Sequence, residues 1–231
     1  MDVPSAAPFR TLPWRVIVPV KDARIGKSRL AATVPGAGEQ LRRAIAEDTV
    51  AAVVEAVGPE ATVVVTSDPV LGPRWSGQGV TVCPDPAGGL NAAIAVGLRV
   101  AAEGAPEGAA ERAIVARETP GAAPRLAALL GDLPALRPTD LLEALAEAST
   151  HSQCFVPDQQ ETGTVLRCGP AFTPRFGPGS ASAHEADGAV RLSLDLPRLR
   201  TDVDDRESLL RAEGLGVGPH TQSALHRLGL G

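Results

Sequence analysis

Apolar residues fall along this chain in two recurring arrangements, short near-continuous runs and longer stretches with a repeat of three to four positions. The runs WRVIVPV from Trp14, ATVVVT at 61–66, 80–83 and 126–130 have the length and β-branched content of strands buried on both faces of a parallel sheet. Between the first two, 38–57 (GEQLRRAIAEDTVAAVVEAV) places apolar side chains at 41, 45, 50, 53, 54 and 57 and closes on Gly58-Pro59, which predicts a helix covering the sheet. An Ala-rich helix is predicted over 90–103 after a turn at 86–89, and a third begins at Pro138-Thr139-Asp140, with leucines at 141, 142 and 145 on one face. Four strand-like runs alternating with helices before residue 150 predict a doubly wound α/β sheet.

The last third changes character. Segments 153–156 and 164–168 predict two strands joined by PDQQETG, followed by a Gly, Pro and Ser stretch at 171–183, a strand at 189–194 and a helix over 206–212. Short strands with Gly-rich links suggest a small C-terminal β-rich subdomain laid over the mouth of the sheet. Residues 1–13, rich in proline, are expected to form a disordered arm, and 104–124 a surface excursion, with 14–231 making one domain.

Composition narrows the function classes. With 231 residues, 44% of them hydrophobic, the chain can bury one full core. Aromatics at 3%, no tyrosine and a net charge of -5 argue against nucleic-acid binding on aromatic stacking platforms. Because Lys and Arg are scattered, a bound anion should be small and held by a local cluster. Cys83, Cys154 and Cys168 lack the C-x-x-C spacing of zinc or redox sites and are expected to be buried, reduced thiols. No basic-then-apolar leader and no run approaching 18 apolar residues is present, so neither export nor membrane spanning is expected, and the cytoplasm is the default.

Candidate chemistry gathers at the strand ends. In LLGDLPAL (129–136) an apolar run reaches a glycine, a carboxylate and a proline that stops ladder pairing, delivering Asp132 where open α/β sheets bind ligands. Taken alone, G-D-x-P reads more readily as a capped turn. Lys21, Arg24, Lys27 and Arg29 crowd nine residues after the first strand, a place for a triphosphate or simply a solvated loop. The GKS at 26–28 is not a Walker A motif, because Lys21 stands where its first glycine belongs.

Gly88-Gly89 before a helix would let backbone N–H groups approach a ligand, although a plain β-to-α turn looks the same. Gly177, Gly179, Ser180 and Ser182 offer a phosphate cradle. Asp202 and Asp204 form a D-x-D whose carboxylates share one side of an extended segment, suiting divalent metal or a capped turn. Asp204 with Glu207 three later also has the signature of a helix cap. The four histidines, at 151, 184, 220 and 226, show no triad-like arrangement, and His184 is read as a packing or hydrogen-bonding residue.

In their order, IVPVK (17–21) with IGKSRLA, PDPAGGLNAAI (84–94), LLGDLPAL, VPD (156–158) with TGT (162–164), RFGPGSASAH (175–184) and LRTDVDD (199–205) resemble the CofC/FbiD family of guanylyltransferases, over roughly residues 14–220. The resemblance implies a Rossmann-like nucleotidyltransferase fold of the nucleotide-diphospho-sugar transferase type, a mostly parallel sheet flanked by helices. It implies transfer of GMP from GTP to phosphoenolpyruvate or 2-phospho-L-lactate, with release of pyrophosphate, in the biosynthesis of coenzyme F-420.

By motif position, Asp132 and Asp202 match the family's metal-binding carboxylates, with Asp204 adjacent and Mg2+ as the expected ion. Thr164, Gly177 and Ser180 match contacts to the acceptor phosphate, and Lys21 and Lys27 the nucleotide-binding lysines. Arg29, Gly88, Gly89 and Asn91 are assigned to the nucleotide beside them, and Lys21 to catalysis with the two aspartates. The family's turn reads D-x-x-G-T-G-T, whereas here Gln160-Glu161 precede Thr162, putting a carboxylate where glycine is expected. Such a charge beside an acceptor phosphate is unfavourable unless it faces solvent or metal. Another nucleotide or acceptor, or an inactive nucleotide-binding regulator, are the alternatives, though a pure binder has no need of paired metal ligands. Oligomeric state is left open, a homodimer included.

Overall fold

In the computed structural model, which describes residues 14–25, 30, 34, 38–103 and 125–230, the first apolar run becomes strand β1 (Trp14–Pro19). Parallel to it on one side runs β2 (Thr62–Val65), followed outward by β3 (Thr81–Cys83); on the other lies β4 (Arg125–Leu129). Ile17 pairs with Val63 and with Ala128, so β1 is hydrogen-bonded on both edges, as its unbroken apolar run anticipates. The arm expected at 1–13, the excursion expected at 104–124, and Lys27 and Arg29 lie outside the described residues.

Alternation along β1 sorts the core into two layers. Val16 and Val18 join the cluster that contains Val50 and Val53 of helix α1 (Glu39–Val57). Ile17 points the other way, into the cluster with Ile94 and Leu98 of helix α3 (Leu90–Glu103). Helix α2 (Leu71–Ser76) lies between β2 and β3, and helix α4 (Pro138–Ala148) packs beside α1 with Leu141 and Leu145 buried.

The three strands predicted in the last third do not form a separate subdomain, and the one expected over 189–194 is only two residues long. Strands β5 (Cys154–Pro157) and β6 (Thr164–Gly169) continue the central sheet, giving the order β3-β2-β1-β4-β6-β5-β7. Strand β6 runs antiparallel to both β4 and β5, and β7 (Val190–Arg191) is a two-residue edge parallel to β5. The reason is the free edge of β4: its backbone groups are buried and need partners, and β6 is buried throughout and supplies them.

Three further helices follow that periodicity did not reveal or bounded loosely. They are α5 (Ser180–Ala186) in the Gly, Pro and Ser stretch, α6 (Pro197–Arg200), and α7 (Arg206–Leu215), predicted to end at 212. A last helix, α8 (Pro219–Leu228), packs on α1. Its N-terminal amides at His220 and Thr221 donate to the buried Asp48 carboxylate at 3.1 and 2.7 Å. A residue on α1 therefore caps a helix more than 170 positions away, a link no local pattern encodes.

Candidate active site

Strand order reverses direction across β1, and at the carboxyl ends of β1 and β4 a cleft of about 770 Å³ opens. Its walls are the loop after β1, the loop after β4, the turn joining β5 to β6, the segment ahead of α5 and the segment ahead of α7.

Asp132 is placed by several constraints. Leu130 still donates to Val165 at 2.9 Å, extending β4 by one ladder bond, and Gly131 then passes against the end of β1. A Cβ on Gly131 would stand 2.6 Å from the Pro19 carbonyl oxygen, so only glycine allows this approach. Next, the Leu133 amide donates to Thr49 Oγ1 at 3.0 Å, tying the loop to α1. Opposite, the Asp132 carbonyl accepts the Val203 amide at 3.0 Å, which brings the D-x-D segment alongside.

One carboxyl oxygen from each of Asp132, Asp202 and Asp204 consequently lies within 4.8 Å of the other two. Burial, then the charges of Asp202 and Asp204, push Asp132 well above the usual carboxylate range, against the pull of its own amide and of Lys21. Burial and the neighbouring Asp204 push Asp202 up to about 6. Asp132 Oδ1 is buried with no hydrogen-bond partner. Three converging carboxylates with an unsatisfied buried oxygen are the donor set of a hard divalent cation, which would neutralise the cluster. Asp204 can take part because the helix cap falls one residue later than its sequence signature suggests. The Asp205 side chain accepts the Ser208 amide at 2.9 Å, and α7 starts at Arg206.

The loop after β1 is braced from behind. Asp68, at the end of β2, accepts the Ala23 amide at 3.1 Å and the Arg43 guanidinium at 3.0 Å, while Arg42 Nε donates to the Ala23 carbonyl at 3.0 Å. Arg24 pairs with Asp22 at 2.6 Å and holds that carboxyl below its ordinary range, so this arginine of the expected positive loop is locally neutralised. Lys21 is exposed and lines the cleft.

The glycine pair expected at the nucleotide sits at the start of α3. Gly89 has a φ of +84°, and Leu90 reaches the cleft wall while Gly88 and Gly89 stay exposed. Asn91 has another task. Its Oδ1 accepts the Phe176 amide at 2.7 Å and its Nδ2 donates to the Phe176 carbonyl at 2.9 Å, so the amide clasps the segment ahead of α5.

Asp158 also lines the cleft and organises the β5–β6 turn. Its carboxylate accepts the amides of Thr162 and Gly163 at 3.0 and 2.9 Å, and any Cβ at Gly163 would collide with it. Glu161 occupies a left-handed conformation, φ +62°, which accounts physically for a glycine at that place in the resembling family. Its carboxylate bonds Arg200 at 3.1 Å, approaches Arg191 at 4.0 Å and is 65% exposed, turned to solvent rather than into the cleft.

Thr164, Gly177 and Ser180 line the same cleft, and Ser180 Oγ is buried without a partner. Thr164 Oγ1 lies 3.0 Å from Nδ1 of the buried His184, whose ring sits between Phe155 and Phe176. Burial, then the Arg167 guanidinium, push His184 down to about 4. Sequence reasoning missed the bracing roles of Thr49, Asp68 and Asp158; those of Thr49 and Asp68 are side-chain-to-backbone bonds across long separations, and only Asp158, with the D-x-x-x-x-G spacing of a local turn, carried a signal in sequence.

No family model matches the chain. Among curated proteins it is 40% identical over 215 residues to a protein of Salinispora arenicola described as phosphoenolpyruvate guanylyltransferase, covering 90% of this chain and 91% of that one. A protein of the same description from Geodermatophilus obscurus is 40% identical over 221 residues, covering 92% and 94%. Among solved structures, 4-diphosphocytidyl-2C-methyl-D-erythritol synthase from Anaerococcus prevotii superposes with a TM-score of 0.52 at 8% identity, covering 87% of this chain and 96% of that one. A cytidylyltransferase from Leptospira borgpetersenii gives 0.50 at 11% identity, covering 94% of each. At such identities these two structures bear on the fold alone, and both have the α/β nucleotidyltransferase architecture. No helix of the described residues is long and apolar enough to cross a membrane.

Proposed function

The chain belongs to the phosphoenolpyruvate guanylyltransferase family, and from that premise we propose how its cleft carries out the transfer. The enzyme is a nucleotidyltransferase that moves GMP from GTP to phosphoenolpyruvate. An ionised oxygen of the acceptor phosphate attacks the α-phosphorus of GTP, the bond from that phosphorus to the bridging β-phosphate oxygen breaks, and pyrophosphate leaves. The nucleophile is already an anion, so no general base is required, and the obstacle is repulsion between two anions.

In this reading Asp132, Asp202 and Asp204 hold Mg2+, and the observation that carries it is the convergence of these three carboxylates within 4.8 Å at the strand ends. A bound divalent ion supplies charge neutralisation at the attacked phosphorus and the leaving pyrophosphate. Lys21 adds a fixed positive charge just after β1 and meets the triphosphate, with Lys27 and Arg29, further along the sequence, assigned to the same anion. Gly88 and Gly89 give the nucleotide close backbone approach at the head of α3. Thr164, Ser180 and the backbone at Gly177, which line the same cleft as Lys21, receive the acceptor phosphate, so both reactants are held in one cleft. The Glu161 carboxylate, bound to Arg200, does not oppose that anion.

Phosphoenolpyruvate is favoured over 2-phospho-L-lactate because it is the acceptor for which the relatives are named. The three cysteines are buried and free, which suits a reducing cytoplasm and the assembly of coenzyme F-420 there. Incubation of the protein with GTP, Mg2+ and either three-carbon phosphate, followed by mass spectrometry, tests the reading. The guanylylated acceptor and pyrophosphate should appear with phosphoenolpyruvate. Product from 2-phospho-L-lactate alone would reassign the acceptor, and silence with both would end the proposal.

A further inference from the structure

The pair Thr164 and His184 contains an ambiguity that decides what the threonine can do. Both residues are buried, 3% and 0% exposed, and Thr164 Oγ1 lies 3.0 Å from His184 Nδ1. The imidazole has no room to turn freely. Ring centroids of Phe155 and Phe176 stand 5.7 and 5.4 Å away, the second nearly perpendicular at 74°, and the Phe176 backbone is itself clasped by Asn91. At its other end, His184 Nε2 is buried with no hydrogen-bond partner.

A neutral imidazole carries one proton, and two arrangements compete. With the proton on Nε2, a buried N–H has no acceptor, and Nδ1 takes the threonine hydroxyl proton. The hydroxyl would then present only lone pairs to anything in the cleft. With the proton on Nδ1, the unpaired atom is a ring lone pair, and Nδ1–H donates to Thr164 Oγ1. The threonine proton is then left to point elsewhere, and the cleft is where Thr164 opens. An orphaned buried N–H is the rarer and costlier of the two defects. The doubly protonated ring, which would also donate, is opposed by burial and by the Arg167 guanidinium.

We propose that His184 is a positioning residue that keeps its proton on Nδ1, donates it to Thr164 Oγ1, and so turns the Thr164 hydroxyl into a donor to the acceptor's phosphate. The inference rests on the reading of Thr164 as an acceptor contact. Ser180 complements it, since its own buried hydroxyl lacks a partner and lines the same cleft. Two O–H donors then meet one anion, and neither is spent on the protein.

Two measurements test this. In protein labelled with 15N at histidine, the ring nitrogens of His184 should report the proton on Nδ1 and a bare Nε2; a proton on Nε2 overturns the inference while leaving the guanylyl transfer untouched. In kinetics, His184→Leu should raise KM for phosphoenolpyruvate about tenfold, with KM for GTP and kcat little changed. His184→Asn, whose amide can place an N–H near the position of Nδ1, should restore most of the loss. In a Thr164→Val background, His184→Leu should add nothing. Multiplying effects, or an equal rise in KM for GTP, would mean that His184 acts through general packing and would overturn the positioning role. Should Thr164→Val alone leave KM for phosphoenolpyruvate unchanged, the assignment of Thr164 to the acceptor fails, and the inference with it.

Discussion

The amide of Val203 donates to the carbonyl of Asp132 at 3.0 Å, a single backbone bond between segments some seventy positions apart. Because Val203 lies between Asp202 and Asp204, this bond carries both carboxylates to the third and assembles a charge cluster that an unliganded fold has to tolerate.

Neutralising one member should therefore separate stability from activity. Asp132→Asn removes a carboxyl group whose ionisation burial and two neighbouring carboxylates oppose, so without divalent ions its melting temperature should rise by a few degrees, about 1 kcal/mol. Guanylyl transfer should fall by a factor on the order of a hundred or more. Mg2+ should raise the melting temperature of the parent protein and leave the variant nearly unmoved. A calorimetric scan with and without Mg2+ decides; lower apo stability for the variant would contradict the account.

Gly131 is the test of how the strand ends meet. A Cβ there would stand 2.6 Å from the Pro19 carbonyl oxygen, which is backbone and cannot rotate away. Gly131→Ala should destabilise the protein by about 1–3 kcal/mol and lower turnover, since the displaced loop carries Asp132. Denaturant melts paired with kcat measurements check this, and an unperturbed variant would show the approach to be looser than described.

Glu161 should prove dispensable to the acceptor. Glu161→Gly relieves a left-handed backbone, φ +62°, and loses one exposed ion pair with Arg200, two small effects of opposite sign. Stability should change by less than about 1 kcal/mol, and KM for phosphoenolpyruvate should stay within about twofold. A large fall in KM would place the carboxylate in the cleft after all.

Acid should expose His184. Its folded pKa, about 4, lies below the unfolded value of 6.5, so the unfolded chain binds the extra proton first. Stability from this group is complete above pH 6.5, is lost as pH falls towards 4, and amounts to about 3 kcal/mol at most. Asp132 and Asp202, raised by burial and mutual repulsion, work in the opposite direction as they protonate. The comparison of parent and His184→Asn between pH 7 and 4 isolates the histidine: the variant's melting temperature should fall less steeply.

Legibility in the sequence followed the range of the interactions. Strands β1 to β4 and helices α1, α3 and α4 were readable because periodicity and strand-length apolar runs are local consequences of which face is buried. Helix α5 was not, since SASAHEA has no apolar stripe and is held by packing of Ala181 with Phe155 and Ala189 and of His184 against Phe155 and Phe176. The β5–β6 pair was found as strands but assigned to a separate subdomain, because nothing in 153–168 states that the open edge of β4 needs a partner.

The chain alone determined the alternating α/β order, the delivery of Asp132 at a strand end, and the D-x-D that places Asp202 and Asp204 on one side of an extended segment. All three depend on chain geometry within a few residues. Tertiary structure decided that these carboxylates meet, that Asp205 rather than Asp204 caps α7, that Asn91 spends its amide on Phe176, and that Glu161 turns outward to Arg200. Each is a choice among partners brought close only when distant segments pack, and it is settled by burial and hydrogen-bond satisfaction, which carry no signature in local sequence.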